Sequence, residues 1–200
     1  MTTLTFQVGR SNAGSGISQT MGAGGAAIGS SNTSGGDLFL IPGVSTGTGR
    51  SHVRIQGLVC GASGTSDNTI VDRIVSGVLP LTNNTNMNVA DFAVASNGQL
   101  AGGCIDYNIQ ITDGTNCQIE SSRAIFTTTL VGGSYATQIL KTPGASIVST
   151  GTLNVSWSMT STTSTKATIV VNANSTGLTS PTLVMYYTIQ NFSAVAMTLY

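Results

Sequence analysis

The chain has 200 residues, 7% of them charged, and its seven basic and seven acidic side chains give a formal net charge of zero. Proteins average about 25% charged residues, and binding to nucleic acid needs a basic stripe that these scattered Lys and Arg residues do not form. No segment reaches the ~20 consecutive apolar residues of a membrane-spanning helix. The sequence therefore predicts neither nucleic acid nor a membrane as partner.

Residues 1–51 are the first predicted region, and from residue 9 onward they are rich in Gly, Ser, Ala and Thr. Their only compact apolar run is Leu38–Ile41, which ends at Pro42. Such a chain is flexible on its own, and ordering it costs backbone entropy that small side chains do not recover. We predict an extended arm that lies on neighbouring surfaces. Its start, MTTLTFQVGR, shows no secretory signal, so we expect synthesis in a cytoplasm.

Residues 52–200 predict a series of short β-strands separated by turns rich in Gly, Asn, Ser and Pro. The alternation is clearest in LNVSWSM, where the side chain of Trp157 is in phase with the apolar positions and should face a core. The segment LVMYYTI is apolar on both faces, as in a central strand, so either Tyr186 or Tyr187 must point away from that core. The predicted strands are His52–Cys60, Thr69–Val75, Val89–Ala95, Cys104–Ile111, Cys117–Leu130, Leu153–Met159, Lys166–Asn174, Leu183–Gln190 and Ala194–Leu199.

The predicted fold class is therefore all-β, an antiparallel β-sandwich of jelly-roll-like type over residues 52–200 that follows the arm of residues 1–51. A sub-boundary near residues 96–103 is an alternative division. The segment VADFAVA is the one place where a turn or two of helix competes with a strand.

The register of one predicted hairpin decides which carboxylates meet. A three-residue loop, 112–114, sets Tyr107 opposite Ile119 and keeps one apolar face, whereas a two-residue turn does not. In that register Asp106 lies opposite Glu120, and the apolar phase changes near 121–123, which predicts a β-bulge. Like charges that face each other are relieved by a bound cation or by the neighbouring Arg123.

The three cysteines, Cys60, Cys104 and Cys117, are too few for a disulfide framework. The preferred register places Cys104 and Cys117 on opposite faces, so we expect unbridged, buried thiols. His52 is the single histidine, no G-x-S-x-G motif is present, and GAGGAA at 22–27 lacks the strand and helix of a dinucleotide site. We predict no catalytic residue, cofactor or metal site, and a protein that is not an enzyme.

The stretches YNIQITDGTNCQIESSRAIFTTTL, GTLNVSWSMTSTTSTKATIVVNANSTGLTSPTLVMYYTIQN and AVAMTLY resemble the C-terminal half of β-rich virion proteins of tailed bacteriophages. The resemblance covers residues 104–200 and implies a capsid-decoration, fibre or tip subunit located in the virion. It also implies a homo-oligomer, either a trimer or a lattice array, in contact with the major capsid protein or a tail protein. An uncharged Ser/Thr/Asn surface suits packing against identical neighbours, although these residues also keep many extracellular β-proteins in solution.

Two alternatives stay open at this point. One is a receptor-binding fibre or tip protein that recognises a host glycan through the loops GASGTSDN, residues 61–68, and LTNNTNMN, residues 81–88. The other is a glycosidase that uses Asp106 and Glu120 as its acid and nucleophile.

Overall fold

The computed structural model describes residues 52–58, 70–163 and 165–200. These residues form eleven β-strands and no helix. The strands are β1 Val53–Leu58, β2 Ile70–Leu81, β3 Met87–Phe92, β4 Leu100–Thr112, β5 Cys117–Val131, β6 Ser134–Lys141, β7 Ala145–Val148, β8 Thr152–Thr163, β9 Lys166–Thr176, β10 Thr182–Asn191 and β11 Met197–Leu199.

The strands form two antiparallel sheets that pack face to face, so the predicted all-β sandwich is confirmed. The large sheet has seven strands in the order β1-β2-β10-β4-β5-β6, with β7 pairing with β5 beside β6. The small sheet has the order β11-β3-β9-β8. Strand β10, which contains LVMYYTI, lies between β2 and β4 as its two apolar faces indicated.

The core lies between the two sheets because alternate side chains of each strand point inward. On β4 and β10 the inward positions are odd-numbered, and on β5 they are even-numbered. The rings of Phe92 and Phe126 meet across this core at 4.8 Å. Trp157 packs against the core as predicted, and its ring centroid lies 5.0 Å from that of Tyr107.

Strands β6 and β7 were missed by the sequence analysis. Both pair with β5 at the edge of the large sheet, and nearly all of their side chains are exposed or half-buried. An edge strand of this kind needs no alternation of apolar and polar residues, so its sequence carries little signal. The helical alternative for VADFAVA is wrong, because its first four residues belong to strand β3.

The predicted register of the β4–β5 hairpin is also wrong. Thr112 pairs with Cys117 across a four-residue loop, residues 113–116, and the pairing continues to Leu100 and Thr129 without a register shift. The β-bulge expected near 121–123 is therefore absent from the β4–β5 pairing. The even positions of β5 face the core throughout, and the first two of them carry polar side chains.

Asp113 holds the hairpin loop closed. Its Oδ1 accepts the backbone N–H groups of Asn116 at 2.7 Å and Thr115 at 3.0 Å, and its Oδ2 accepts that of Thr179 at 3.3 Å. These hydrogen bonds, that from Asn116 first, lower the pKa of the Asp113 carboxyl from 3.8 to about 2. Gly114, at φ 90°, supplies the left-handed residue that this turn requires.

We therefore expect the loop to be acid-labile. A carboxyl whose pKa is lower in the folded chain stabilises the fold above its unfolded pKa, and this contribution disappears as the pH falls through the folded pKa. Thermal unfolding of the wild type and of Asp113→Ala should differ most above pH 4, and the difference should vanish between pH 4 and pH 2. A difference that stays constant over this range would show that the carboxylate charge is not the cause.

Candidate functional site

The two carboxylates proposed as a pair do not meet. Asp106 pairs with Arg123 across the β4–β5 ladder, not with Glu120. Arg123 donates from Nε to Asp106 Oδ1 at 2.6 Å and from Nη2 to Oδ2 at 2.9 Å, and this partner raises the pKa of the guanidinium. The pair is solvent-exposed on the outer side of the large sheet, so its contribution to stability is small.

Glu120 lies on the other side of the same sheet, inside the sandwich. Its Oε1 accepts the hydroxyl of Tyr107 at 2.8 Å, and its Oε2 accepts the ammonium group of Lys141 at 2.8 Å. Lys141 also donates to the carbonyl of Val155 in the small sheet at 3.3 Å, so it joins the two sheets. Burial and then the hydrogen bond to Glu120 raise the pKa of Tyr107. The geometry excludes an acid–nucleophile pair formed by Asp106 and Glu120.

Gln118 is another polar residue inside the sandwich, and it is fully buried. Its Nε2 donates to the carbonyls of Thr150 at 2.6 Å and Thr176 at 2.9 Å, and its Oε1 accepts the hydroxyl of Ser175 at 2.8 Å. Every polar atom of this side chain therefore has a partner, so burial does not leave an unpaired group.

The cysteine predictions are partly wrong. Cys104 is buried, as expected, and its burial raises the pKa of the thiol, but Cys117 is exposed. Both point to the outer side of the large sheet and not to opposite faces. They do not bridge because Cys104 pairs with Ile125, eight residues from Cys117 along β5, or about 27 Å. Cys60 lies outside the described residues.

The Nδ1 of His52 lies 3.3 Å from the backbone carbonyl oxygen of Ser76. Within residues 52–58, 70–163 and 165–200, no group of three or more His, Cys, Asp or Glu side chains is arranged to hold a metal ion. Of the two loops proposed for glycan recognition, residues 61–68 lie outside the described part. In the other loop, two of the four asparagine side chains have partners within the chain: Asn83 binds the backbone of Ser175, and Asn86 accepts the amide of Asn172.

The most unusual surface is the outer side of the large sheet, hereafter the apolar face. Of the twelve large apolar side chains exposed in the described residues, nine point outward from the strands of this face, and Phe192 follows at the end of β10. The nine are Ile55, Ile74, Val78, Leu100, Ile125, Val131, Leu140, Ile147 and Tyr186. Exposed apolar residues that are scattered singly are normal, whereas a continuous patch marks an interaction site.

The pairing register aligns these side chains into rows across the strands. One row begins with Ile55 and Ile74 on β1 and β2 and, after an interruption at β10 and β4, continues with Ile125 and Leu140 on β5 and β6. Ile125 and Leu140 are direct cross-strand partners. The neighbouring row contains the Asp106–Arg123 pair, and the next contains Tyr186, which is 47% exposed.

A shallow groove of about 1140 Å³ crosses the apolar face over β4, β5 and β6. Gly102 and Cys104 lie at its floor, where the absence of large side chains leaves a depression. Leu100, Ile125 and Phe192 also line it, with exposed fractions of 66%, 47% and 69%. The groove is therefore a concave apolar surface beside protruding apolar side chains.

The outer side of the small sheet has the opposite chemistry. Its outward positions on β8 and β9 carry Ser, Thr and Asn, including Ser156, Ser158, Asn172 and Asn174. The only large apolar residue among the described outward positions of these two strands is Val170, which is 6% exposed. The outer side of the small sheet is thus polar along β8 and β9, whereas that of the large sheet combines exposed apolar side chains with polar ones such as Thr127, Gln138 and Gln190.

No family model, curated protein or solved structure matches this chain. Among the residues that the structure describes, none belongs to a helix with the length and hydrophobicity of a membrane span.

Proposed function

We propose that this protein is a non-enzymatic structural protein of a tailed-bacteriophage virion. It acts as an external capsid-associated subunit, of the decoration or cement type, or as a fibre subunit, and it assembles through its N-terminal arm and its sheet faces. The observation that carries the proposal is the apolar face, with ten exposed large apolar side chains on and beside one sheet of a sandwich whose other outer surface is polar.

An exposed apolar face favours association, because each Å² of apolar surface that is removed from water contributes about 25 cal/mol to the free energy of binding. The same face carries almost no charge, so a neighbour covers it without a large desolvation cost. The polar side, rich in hydroxyl and amide groups, is suited to contact with water or with a wet, hydrogen-bonded interface.

Two of the buried carboxylates in the described residues, Glu120 and Asp91, hold the fold together. Glu120 binds Tyr107 and Lys141, and Asp91 accepts the hydroxyls of Thr168 at 2.6 Å and Tyr200 at 2.8 Å. These networks suit a protein whose function lies in the area it buries against neighbours.

The test is the copy number of the protein in purified particles, measured by quantitative mass spectrometry against the major shell protein. We expect a number comparable with that of the shell protein, as for a decoration subunit. A small number would instead indicate a tail fibre or tip, and with it the alternative of host-glycan recognition, for which Tyr186 is the exposed aromatic ring on the large sheet. Absence from particles would overturn the proposal.

A further inference from the structure

We propose that the apolar face is the dimer interface of this protein, and that its occupant is the apolar face of a second copy. The inference deepens the proposed function, in which sheet faces mediate assembly, by naming the partner of this surface. It rests on the size of the face, its charge and its shape.

The size of the face matches that of a stable interface. Strand β4 has 13 residues and six strands lie side by side, so the face measures about 40 Å by about 24 Å. That gives about 1,000 Å² for the whole outer surface of the sheet, polar positions included, compared with the ~800 Å² that each partner contributes to a standard interface. A smaller ligand would leave most of the row from Ile55 to Leu140 in water.

The charge of the face favours an identical partner. Among the described residues of its strands, Asp106 and Arg123 are the charged side chains at regular outward positions of the ladders, and each neutralises the other through two hydrogen bonds. Arg73, at the register shift between β1 and β2, donates to the carbonyls of Asn191 at 3.5 Å and Ser193 at 2.8 Å. Two copies that meet here therefore bring together no unpaired like charges. The required partner surface is apolar and uncharged, and the chain itself presents such a surface.

The face has both a groove and protruding side chains, so two copies of it could fit together. The groove over Gly102 and Cys104 lies beside the protruding side chains of Leu100, Leu140 and Phe192. In a two-fold arrangement each copy contributes the same patch, so protrusions of one copy meet the groove of the other twice. The Leu, Ile and Phe side chains are then buried around a centre on β10 and β4 that carries Thr188, Gln190 and Asp106.

The first experiment measures the mass of the full chain in solution by light scattering and sedimentation over a range of concentrations. The wild type should form dimers, and the double variant Ile125→Asp with Leu140→Lys should weaken dimerisation by about tenfold or more. These two positions are cross-strand partners, so the new charges pair within one monomer. The dimer loses the apolar contacts of Ile125 and Leu140 and must bury a second ion pair beside Asp106–Arg123. The control, Ser156→Asp with Asn172→Lys, makes the same cross-strand pair on the polar side and should dimerise as the wild type does.

The second experiment identifies which face is covered. Thr127→Cys places a thiol in the groove, and Ser158→Cys places one on the polar side. Alkylation at position 127, followed by site-resolved mass spectrometry, should slow as the protein concentration rises, whereas alkylation at position 158 should not. Circular dichroism confirms that each variant is folded.

Three outcomes would overturn the inference. The wild type could remain a monomer at all concentrations, or form oligomers in which position 127 stays reactive. Position 127 could also be protected in a monomer, in which case a part of the same chain covers the face. A dimer that is absent from particles would contradict the proposed function alone, and a monomer present in particles would contradict this inference alone.

Discussion

Replacing Gly103 with alanine should lower the free energy of unfolding by about 3 kcal/mol or more. An added Cβ at this position would lie 2.0 Å from the backbone carbonyl oxygen of Gln190 and 3.0 Å from Cζ of Phe126. The first of these atoms belongs to the neighbouring strand and cannot rotate away. The backbones of β4 and β10 must therefore separate locally, which disturbs the central ladder of the large sheet.

Gly102 provides a matched control one residue away. A Cβ there would lie 3.4 Å from the carbonyl oxygen of Phe126 and 3.7 Å from Cγ2 of Thr127, which is ordinary contact. Gly102→Ala should be neutral or slightly stabilising, because glycine in a strand costs about 0.5–1 kcal/mol relative to alanine. Chemical denaturation of both variants gives the comparison. If Gly103→Ala and Gly102→Ala were equally stable, the close approach of the Gln190 backbone would not be the reason that position 103 requires glycine.

The fold class followed from alternation, because a buried sheet surface imposes a period of two that strands such as β8 and β9 display clearly. The register of the β4–β5 hairpin could not be predicted from this alternation. The predicted register required apolar core positions and therefore placed Cys117 and Ile119 inside, whereas Gln118 and Glu120 occupy the core positions. The hydrogen-bond partners of these two side chains are Ser175, Thr176 and Lys141, which are distant in the chain. The local pattern of apolar and polar residues therefore does not predict that Gln118 and Glu120 are buried.

The apolar face was missed for a related reason. Its residues are dispersed over the strands and over the segment after β10, so no single segment is conspicuous. Ile55, Ile74 and Ile125 become one row only when the order β1-β2-β10-β4-β5 is known. That order depends on long-range pairing, such as Gln190 with both Ile74 and Cys104, which a single sequence does not specify. The low charge of the sequence favours association in general terms, but it does not indicate a surface.

Removing the Glu120 carboxylate should destabilise the chain by about 2–3 kcal/mol, because a buried polar network that loses one member leaves the others unpaired. In Glu120→Ala the hydroxyl of Tyr107 loses its acceptor, and the ammonium group of Lys141 keeps only the carbonyl of Val155. The Glu120 side chain is 9% exposed and that of Lys141 33%, so solvent compensates Lys141 in part.

The exposed pair on the opposite side of the same strands is the control. In Asp106→Ala an ion pair of similar length is lost, but its side chains are 41% and 49% exposed, so the cost should be below about 1 kcal/mol. The triple variant Tyr107→Phe, Glu120→Leu and Lys141→Met removes every member of the buried network and should recover much of the stability lost in Glu120→Ala. Urea denaturation of the four proteins measures these differences. If Glu120→Ala and Asp106→Ala proved equally stable, the Glu120 network would contribute no more than a surface ion pair.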